Sequence, residues 1–281
     1  RDSSTSRGLG DVYKRQLQSY EGFMKKFVLL ILIFLTGGLC ANAEALTGGV
    51  STVGLGNKVV DAKTNAPIAN AQVSLPKQGY KTTTDENGDF KLEAHFIGDT
   101  IMSVKKDGYR PFSLTINEQI AAQPMVVGIQ KSSATDLVID ADMMHLGDNN
   151  YSAESANAGE FKVKAIGPFY TKVFKMSANT LAYRNFLVIG SIIGIDTAMA
   201  RAMKQNSIQN SFASPPEVFF NGTKIAEIQL NGDNQKIRLP NNLIRPDQSN
   251  EITIKTGKNL MQRNYIDYDD IELMNLSIQT E

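Results

Sequence analysis

The sequence predicts an all-β protein made of two β-sandwich domains. Apolar residues alternate at period two through short runs, as in Ala71, Val73 and Leu75, which marks strands with one buried face. Turn chemistry breaks these runs, most clearly at Asp85-Glu-Asn-Gly88 and Asn221-Gly222, where glycine accepts the positive φ a tight reversal needs. Good helix formers gather only in Ala198 to Met203, where Asp196 is placed to cap a short helix.

The N-terminal stretch reads as processing sequence rather than fold. Met24, Lys25 and Lys26 precede the apolar run Phe27 to Leu35, and Ala41-Asn42-Ala43 offers a small-x-small cleavage site. That order is the signature of a secretory signal peptide, here 24–43. The run falls short of the roughly 20 apolar residues that cross a bilayer, which favours cleavage over a membrane-spanning helix. Cys40 opens a lipoprotein reading, weakened by bulky Leu39 where such sites take a small residue. Upstream, Asp11-Val-Tyr-Lys-Arg-Gln16 resembles the translation of a transposon end used to prepare sequencing libraries. Residues 1–23 are therefore read as non-structural. The expected destination is the periplasm, the cell surface or the extracellular space, with no transmembrane segment after cleavage.

Without 1–43, 23 Lys and Arg face 26 Asp and Glu, a net charge of −3. No basic face for nucleic acid follows from that balance. The one cysteine lies in the signal, so no disulfide or thiol chemistry is expected downstream. Buried apolar area must hold the fold, and 238 residues leave room for two ordinary cores.

The first module spans about 50–131. Asn57 to Asp61, Ala71 to Leu75, Tyr80 to Thr84, Asp89 to Glu93 and Thr100 to Val104 read as strands, followed by one through Leu114 and Ile116. Asp85 to Gly88 reads as a hairpin turn. Its Asp85, Asn87 and Asp89 also hint at a calcium loop, but Glu93 falls too early to supply the bidentate carboxylate such a loop needs. His95 has no neighbouring His or Cys and reads as a strand-end residue.

Four motifs fall in order here: Gly56-x-Val-x-Asp, Pro67-Ile-x-x-Ala71-x-Val73, Thr84-Asp-Glu-Asn-Gly-x-Phe90, and Asp99-x-Ile running to Gly108-Tyr-x-Pro111. Together they resemble a carboxypeptidase-regulatory-like domain over roughly 55–117. The resemblance implies a transthyretin-like sandwich, common in exported Bacteroidetes proteins, acting as a non-catalytic spacer or docking module. Ser132 to Asp136 reads as a short polar joint that limits motion between modules without preventing it.

The second module spans 136–281. Strands are expected at Leu137–Ile139, Glu160–Lys164, Thr171–Phe174, Phe186–Ile195, Gln235–Leu239 and Glu251–Lys255, with a hairpin over Glu217–Ile228 and a last strand over Tyr268–Ile278. Pro240 ends its strand by removing a donor. In the last strand the apolar phase shifts from Ile271 and Leu273 to Met274, Leu276 and Ile278, which predicts a bulge. Lys204 to Ser214 reads as a loop, either functional or covering a sheet edge. His145 to Ser152, Val218 to Ile225 and Asp267 to Ser277 carry a resemblance to a galactose-binding-like jelly roll of the carbohydrate-binding type.

Two acidic groups could meet in that module, Asp140, Asp142, Asp148, Asn149 and Asn150 with Asp267, Asp269, Asp270 and Glu272. First and last strands are often neighbours in a jelly roll. The candidate set for a structural calcium is Asp140, Asp142, Asp148, Asn149, Asp270 and Glu272, since calcium takes several oxygen ligands. The alternative is a solvated acidic loop beside strand-end charges. Sugar recognition rests on aromatic faces, and without tryptophan the candidates are Tyr151, Tyr183, Tyr265 and Tyr268, each equally readable as structural.

No catalytic constellation emerges. Asp269 and Asp270 are adjacent on a strand and face opposite sides, unlike a glycosidase pair. His95 and His145 lie in different modules, which leaves no nucleophile–histidine set. Gly48-Gly49 and Gly54-x-Gly56 precede no helix and read as tether. The expectation is a non-catalytic, exported protein that binds a glycan or polysaccharide. The alternative is a structural adhesin or assembly module that holds a cell-surface protein. An enzyme of unrecognised type is the third reading.

Overall fold

The computed structural model describes residues 56–94, 98–157, 159, 161–206 and 212–281. The signal segment 24–43, Gly48, Gly49, Gly54 and His95 lie outside the described residues. Val53–Glu281 forms one compact unit. Among the described residues, no helix is long and apolar enough to cross a membrane.

The first seven strands are β1 (Asn57–Asp61), β2 (Gln72–Leu75), β3 (Tyr80–Thr83), β4 (Asp89–Phe90), β5 (Thr100–Lys105), β6 (Phe112–Ile116) and β7 (Val126–Ile129), with helix α1 (Glu118–Ala121) between the last two. They make two sheets, β4-β1-β7 and β3-β2-β5-β6. Between the sheets lie Val59, Val73, Leu75, Phe90, Met102, Val104, Ile116 and Val127, the inward half of the period-two pattern. The Asp85–Gly88 turn forms, with Gly88 at φ +76°. It is not the turn of a hairpin, however, because β3 and β4 belong to different sheets. It carries the chain across the sandwich, and a side chain at Gly88 would strike the β1 backbone and Ile68. Asp85 Oδ1 accepts from the backbone N–H of Asn87 and Asp89, both at 2.9 Å, which makes this a plain acidic turn.

The remaining strands are β8 (Leu137–Leu146), β9 (Phe169–Lys175), β10 (Asn185–Ile193), β11 (Glu217–Phe220), β12 (Thr223–Glu227), β13 (Gly232–Leu239), β14 (Ser249–Lys255) and β15 (Ile271–Thr280), with α2 (Ala198–Ala202) after β10. Their sheets run β13-β10-β15-β8 and β12-β11-β14-β9, all antiparallel. Numbered within the module, these orders are 6-3-8-1 and 5-4-7-2, the double Greek key of a jelly roll. First and last strands are neighbours, as expected. Asn221 and Gly222 both take positive φ in the β11–β12 hairpin, and the β15 phase shift is a bulge at Asn275, φ +59°.

Three local expectations need correction. Phe161–Lys164 is loop rather than strand. The residue capping α2 is Thr197, whose hydroxyl accepts from the Ala200 N–H. Asp196 is instead fully buried and accepts from the side chains of Arg201 and Asn206. The 132–136 joint is clamped, because Arg110 donates to both Asp136 carboxylate oxygens at 2.7 and 3.1 Å and also to Gln279 at 3.1 Å.

Beyond that clamp, edge strand β6 packs on the face of β10, β13 and β15 that points away from the jelly-roll core. Small and polar residues let the backbones approach. Asp233 Oδ1 accepts from the Thr115 N–H, the Thr115 hydroxyl and the Ser191 hydroxyl at 2.6–2.9 Å. Gly190 faces Ser113 and Asn275, and a Cβ there would sit 2.7 Å from the Asn275 Cβ. The four sheets therefore stack, with apolar cores in the outer two gaps and a mixed layer between the modules.

Candidate functional site

Two structures adjoin at one end of the jelly roll: a buried polar latch that fixes two loops, and an open cleft beside it. The latch exists because β8 and β15 end side by side, with His145 opposite Glu272. The chain leaving β8 and the chain entering β15 must then travel together. Asp267 joins them. Its carboxylate, 1% exposed, accepts from Asn150 Nδ2 (2.8 Å), Ser155 Oγ (2.9 Å), Asn259 Nδ2 (2.9 Å) and the Ala156 N–H (3.2 Å). Asp148 adds a second tie, accepting from the N–H groups of Tyr268 and Asn150. Burial pushes the Asp148 carboxyl above its usual range, aided by the charges of Asp267 and Asp270 and opposed by those two donors.

Asp270 makes the third tie. Its Oδ1 accepts from the Asn149 N–H at 3.1 Å, and its own N–H donates to Asn157 Oδ1. His145 Nε2 lies 2.7 Å from the same oxygen without hydrogen-bond alignment, while its Nδ1 contacts the Val163 carbonyl. Burial works against a charged His145 ring, but those two contacts and the charges of Asp270 and Glu272 outweigh it and raise the pKa. Glu272 is fully buried with neither oxygen hydrogen-bonded, and burial raises its pKa against the pull of Lys77 and His145.

The six residues expected to share a calcium do not converge. Asp148, Asn149, Asp270 and Glu272 stand at the latch end. Asp140, farther down β8, accepts from the Tyr170 hydroxyl (2.7 Å) and Lys172 (3.3 Å), and the exposed Asp142 pairs with Lys105 (3.2 Å). The reason is alternation and length: β8 continues through Leu146, so residues 140 and 142 lie within a strand rather than in its loop. Asp148 and Asp267 accept N–H and O–H donors on both carboxylate oxygens, whereas Asp270 Oδ2 and the two Glu272 oxygens are buried with no hydrogen-bond partner. Among the described residues, no group of three or more His, Cys, Asp or Glu side chains is arranged to hold a metal ion.

Three of the four candidate tyrosines meet here. Tyr151 packs beneath the loop beside Phe161, its hydroxyl 3.5 Å from Asp270 Oδ1, and burial with the Asp270 charge raises its pKa. Tyr268 lies under the Lys258 ammonium, 5.8 Å from the ring centre. Tyr265 is 49% exposed, and its hydroxyl accepts from Asn150 Nδ2 at 3.4 Å. Leu260, Met261 and Ile266 in the same loop are also more than half exposed. Tyr183 stands apart, beside the first residue of β10 at the opposite end of that strand.

The cleft, of about 760 Å³, is bounded by both modules. Phe161 and Ile193 supply its apolar surface, Lys77, Asp99 and Thr115 come from the first module, and Lys162, Lys204, Gln205 and Asn231 come from the second. Phe161 is held by the latched loop, with its ring 5.1 Å from the rings and charges on either side, His145 and Lys77. Sequence reading passes over these residues because they come from seven separated segments. The only advance signal was the density of Asn, Asp and Ser around 148–157, which marks a loop that satisfies itself.

No curated protein matches the chain. Residues 56–130, which contain all of β1–β7, match the family described as Carboxypeptidase regulatory-like domain. The first module is thus similar to that family, a non-catalytic β-sandwich that serves as a binding or interaction module.

Proposed function

We propose that this is an exported, non-catalytic glycan-binding protein whose binding surface is the loop end of the jelly roll. The observation that carries the reading is Tyr265, a half-exposed aromatic ring set beside the 147–151 loop and hydrogen-bonded to Asn150. A sugar site needs an aromatic face for the apolar side of the ring and polar groups at its margin. Asn150, Lys258 and Tyr268 provide that margin, and the latch holds it in place. A glycan array probed with the full chain should give binding to a defined polysaccharide that is lost in Tyr265→Ala. Silence across a broad array would end this reading.

A structural calcium at this end is a separate proposal. Asp148 and Asp267 already accept protein donors, whereas Asp270 Oδ2 and both Glu272 oxygens are buried without a hydrogen-bond partner, and an unchanged melting temperature in EDTA would overturn it. A fall of several degrees in chelator would show a cation at this end.

The second reading is a structural adhesin or assembly module holding a protein. One feature favours it: the outer face of β12-β11-β14-β9 is open, with Phe169 57% and Val173 56% exposed beside the Thr171–Thr253 hydroxyl pair. Crosslinking that captures a partner through Val173-substituted photoprobes, together with a silent glycan array, would move the assignment there.

A further inference from the structure

The cleft is a second site, separate from the Tyr265 loop, and its chemistry is different. Lys77, Lys162 and Lys204 all line it. The ion pairs formed among the described residues use other cations, namely Lys58, Lys105, Lys172, Lys224, Lys236, Arg110, Arg184, Arg201 and the His145 ring. Lys77 instead rests over the Phe161 ring at 5.1 Å, and Lys162 and Lys204 are exposed. Three lysines lining one concavity, in a chain whose remaining balance is acidic, make a local field that attracts anions.

The walls are built rather than incidental. Asn231 exchanges hydrogen bonds with the Ile195 backbone at 2.7 and 3.1 Å, and Gln205 exchanges another pair with the Asn231 backbone at 3.0 and 3.1 Å. This double clamp fixes the chain that presents Lys204, which itself takes φ +58° at the end of α2. Glycines 98, 159, 194 and 232 keep the cleft open by adding no side chains to its lining. A Cβ at Gly194 would sit 2.6 Å from the Phe161 ring. Asp99 and Thr115 on the opposite wall can accept from ligand hydroxyls. Glu272, buried below the surface, interacts with the Lys77 charge, so Lys162 and Lys204 are the lysines offered to a ligand.

We propose that this cleft binds an anionic saccharide, its acid group a carboxylate or a sulfate ester held by Lys162 and Lys204, with Asp99 and Thr115 accepting from its hydroxyls. A saccharide offers Asp99 and Thr115 hydroxyl donors, which a polyphosphate lacks. The cleft's size lies within the range of small-molecule sites.

Calorimetric titration of the full chain with oligogalacturonate, a sulfated galactan oligosaccharide and the matching neutral galacto-oligosaccharide tests this directly. Binding of either charged sugar, weakened by added salt and weakened about tenfold or more in the K162Q/K204Q double variant, is the expected result. Which charged sugar binds identifies the acid group. Both lysines are exposed, so the variant should fold, and an unchanged melting curve checks that it does. Tyr265→Ala should leave this binding intact, whereas the loop-site reading predicts a loss in that variant, so the two sites fail separately. Equal binding of the neutral sugar, insensitivity to K162Q/K204Q, or no binding of either charged sugar at millimolar concentration would overturn the proposal.

Discussion

The two sheets of the jelly roll share one core yet are made of different sequence. In β12-β11-β14-β9, strand β9 half-buries only Tyr170 and Phe174 and exposes its other five residues, because one face meets the core and the other is open. In β13-β10-β15-β8, nine of the ten β15 residues are buried, because both faces are covered. Ile271, Leu273, Leu276 and Ile278 enter the core. Met274 meets Ile101, Phe161 and Ile193 on the other side. A jelly-roll sheet that must also carry a second module gives up its solvent face. It pays in polar residues that need partners there, such as Glu272, Asn275 and Gln279. The comparison makes a strong claim: disturbing what covers the inner sheet should unfold the protein, and disturbing the open face should not.

The largest effect is expected at the latch. Asp267→Ala removes the one carboxylate that the side chains of Asn150, Ser155 and Asn259 and the Ala156 N–H share as acceptor, most of it in buried surroundings. Losing a buried, multiply hydrogen-bonded carboxylate costs about 3–5 kcal/mol. Denaturant unfolding of the full chain should show that loss, and Asp267→Asn an intermediate one. A change below 1 kcal/mol would mean the loop covers the inner sheet without the latch.

Next comes a pH effect. Burial raises Asp196 from 3.8 to about 6, against the attraction of Arg201. Burial also drives Asp269 well above its ordinary value, despite the hydrogen bond from the Asp196 N–H. Between the unfolded and folded pKa the folded state holds the extra proton, so the contribution of this buried pair to stability is fullest below about pH 4. Stability then falls as pH rises through about 6. For Asp196 alone the change is at most about 3 kcal/mol. His145, raised by Asp270, acts in the same direction at higher pH. Melting temperature measured from pH 7 down to pH 5 should rise, and Asp196→Asn should flatten the curve.

How legible was this in the sequence? Strand phase and turn chemistry are local, so β2, the Asn221-Gly222 hairpin, the stop at Pro240 and a bulge in the last strand are all visible, though the phase pattern groups Met274 with Leu276 and Ile278 and the fold puts it on the opposite face. Strand order in the jelly roll was visible only through resemblance. What stayed hidden depends on contacts between distant segments. Asp140 and Asp148 look equivalent in sequence, yet one sits within β8 and the other beyond it. Arg110 belongs to a first-module motif, and nothing local announces that it reaches Asp136 and Gln279. Lys77 and Lys204 are ordinary surface lysines until the two modules dock.

The third prediction concerns the layer between the modules. Gly190→Ala adds a methyl group against Ser113, Asn275 and the Met274 carbonyl, which is 3.0 Å from the ideal Cβ position. Overpacking of this kind costs about 1–3 kcal/mol. If the first module were loosely tethered, it would move aside at almost no cost. A loss of at least 1 kcal/mol with a single unfolding transition supports a shared layer, and two separated transitions would show independent modules.

The smallest effect is expected on the open face, and its smallness is the test. Val173→Thr keeps β-branching and shape, so strand propensity is preserved. Val173 lies opposite Glu251 on β14, with its side chain mostly in solvent. Surface changes of this kind usually stay within about 0.5 kcal/mol. The equivalent step on the inner sheet, Ile193→Thr, buries a hydroxyl beside Met274 and Phe161 and should cost about 1–3 kcal/mol. The ratio of the two losses measures how completely the inner sheet's second face is enclosed. Equal losses would mean that the β12-β11-β14-β9 face is itself covered in the working protein, and that a partner or second copy sits where Phe169 and Val173 are now exposed.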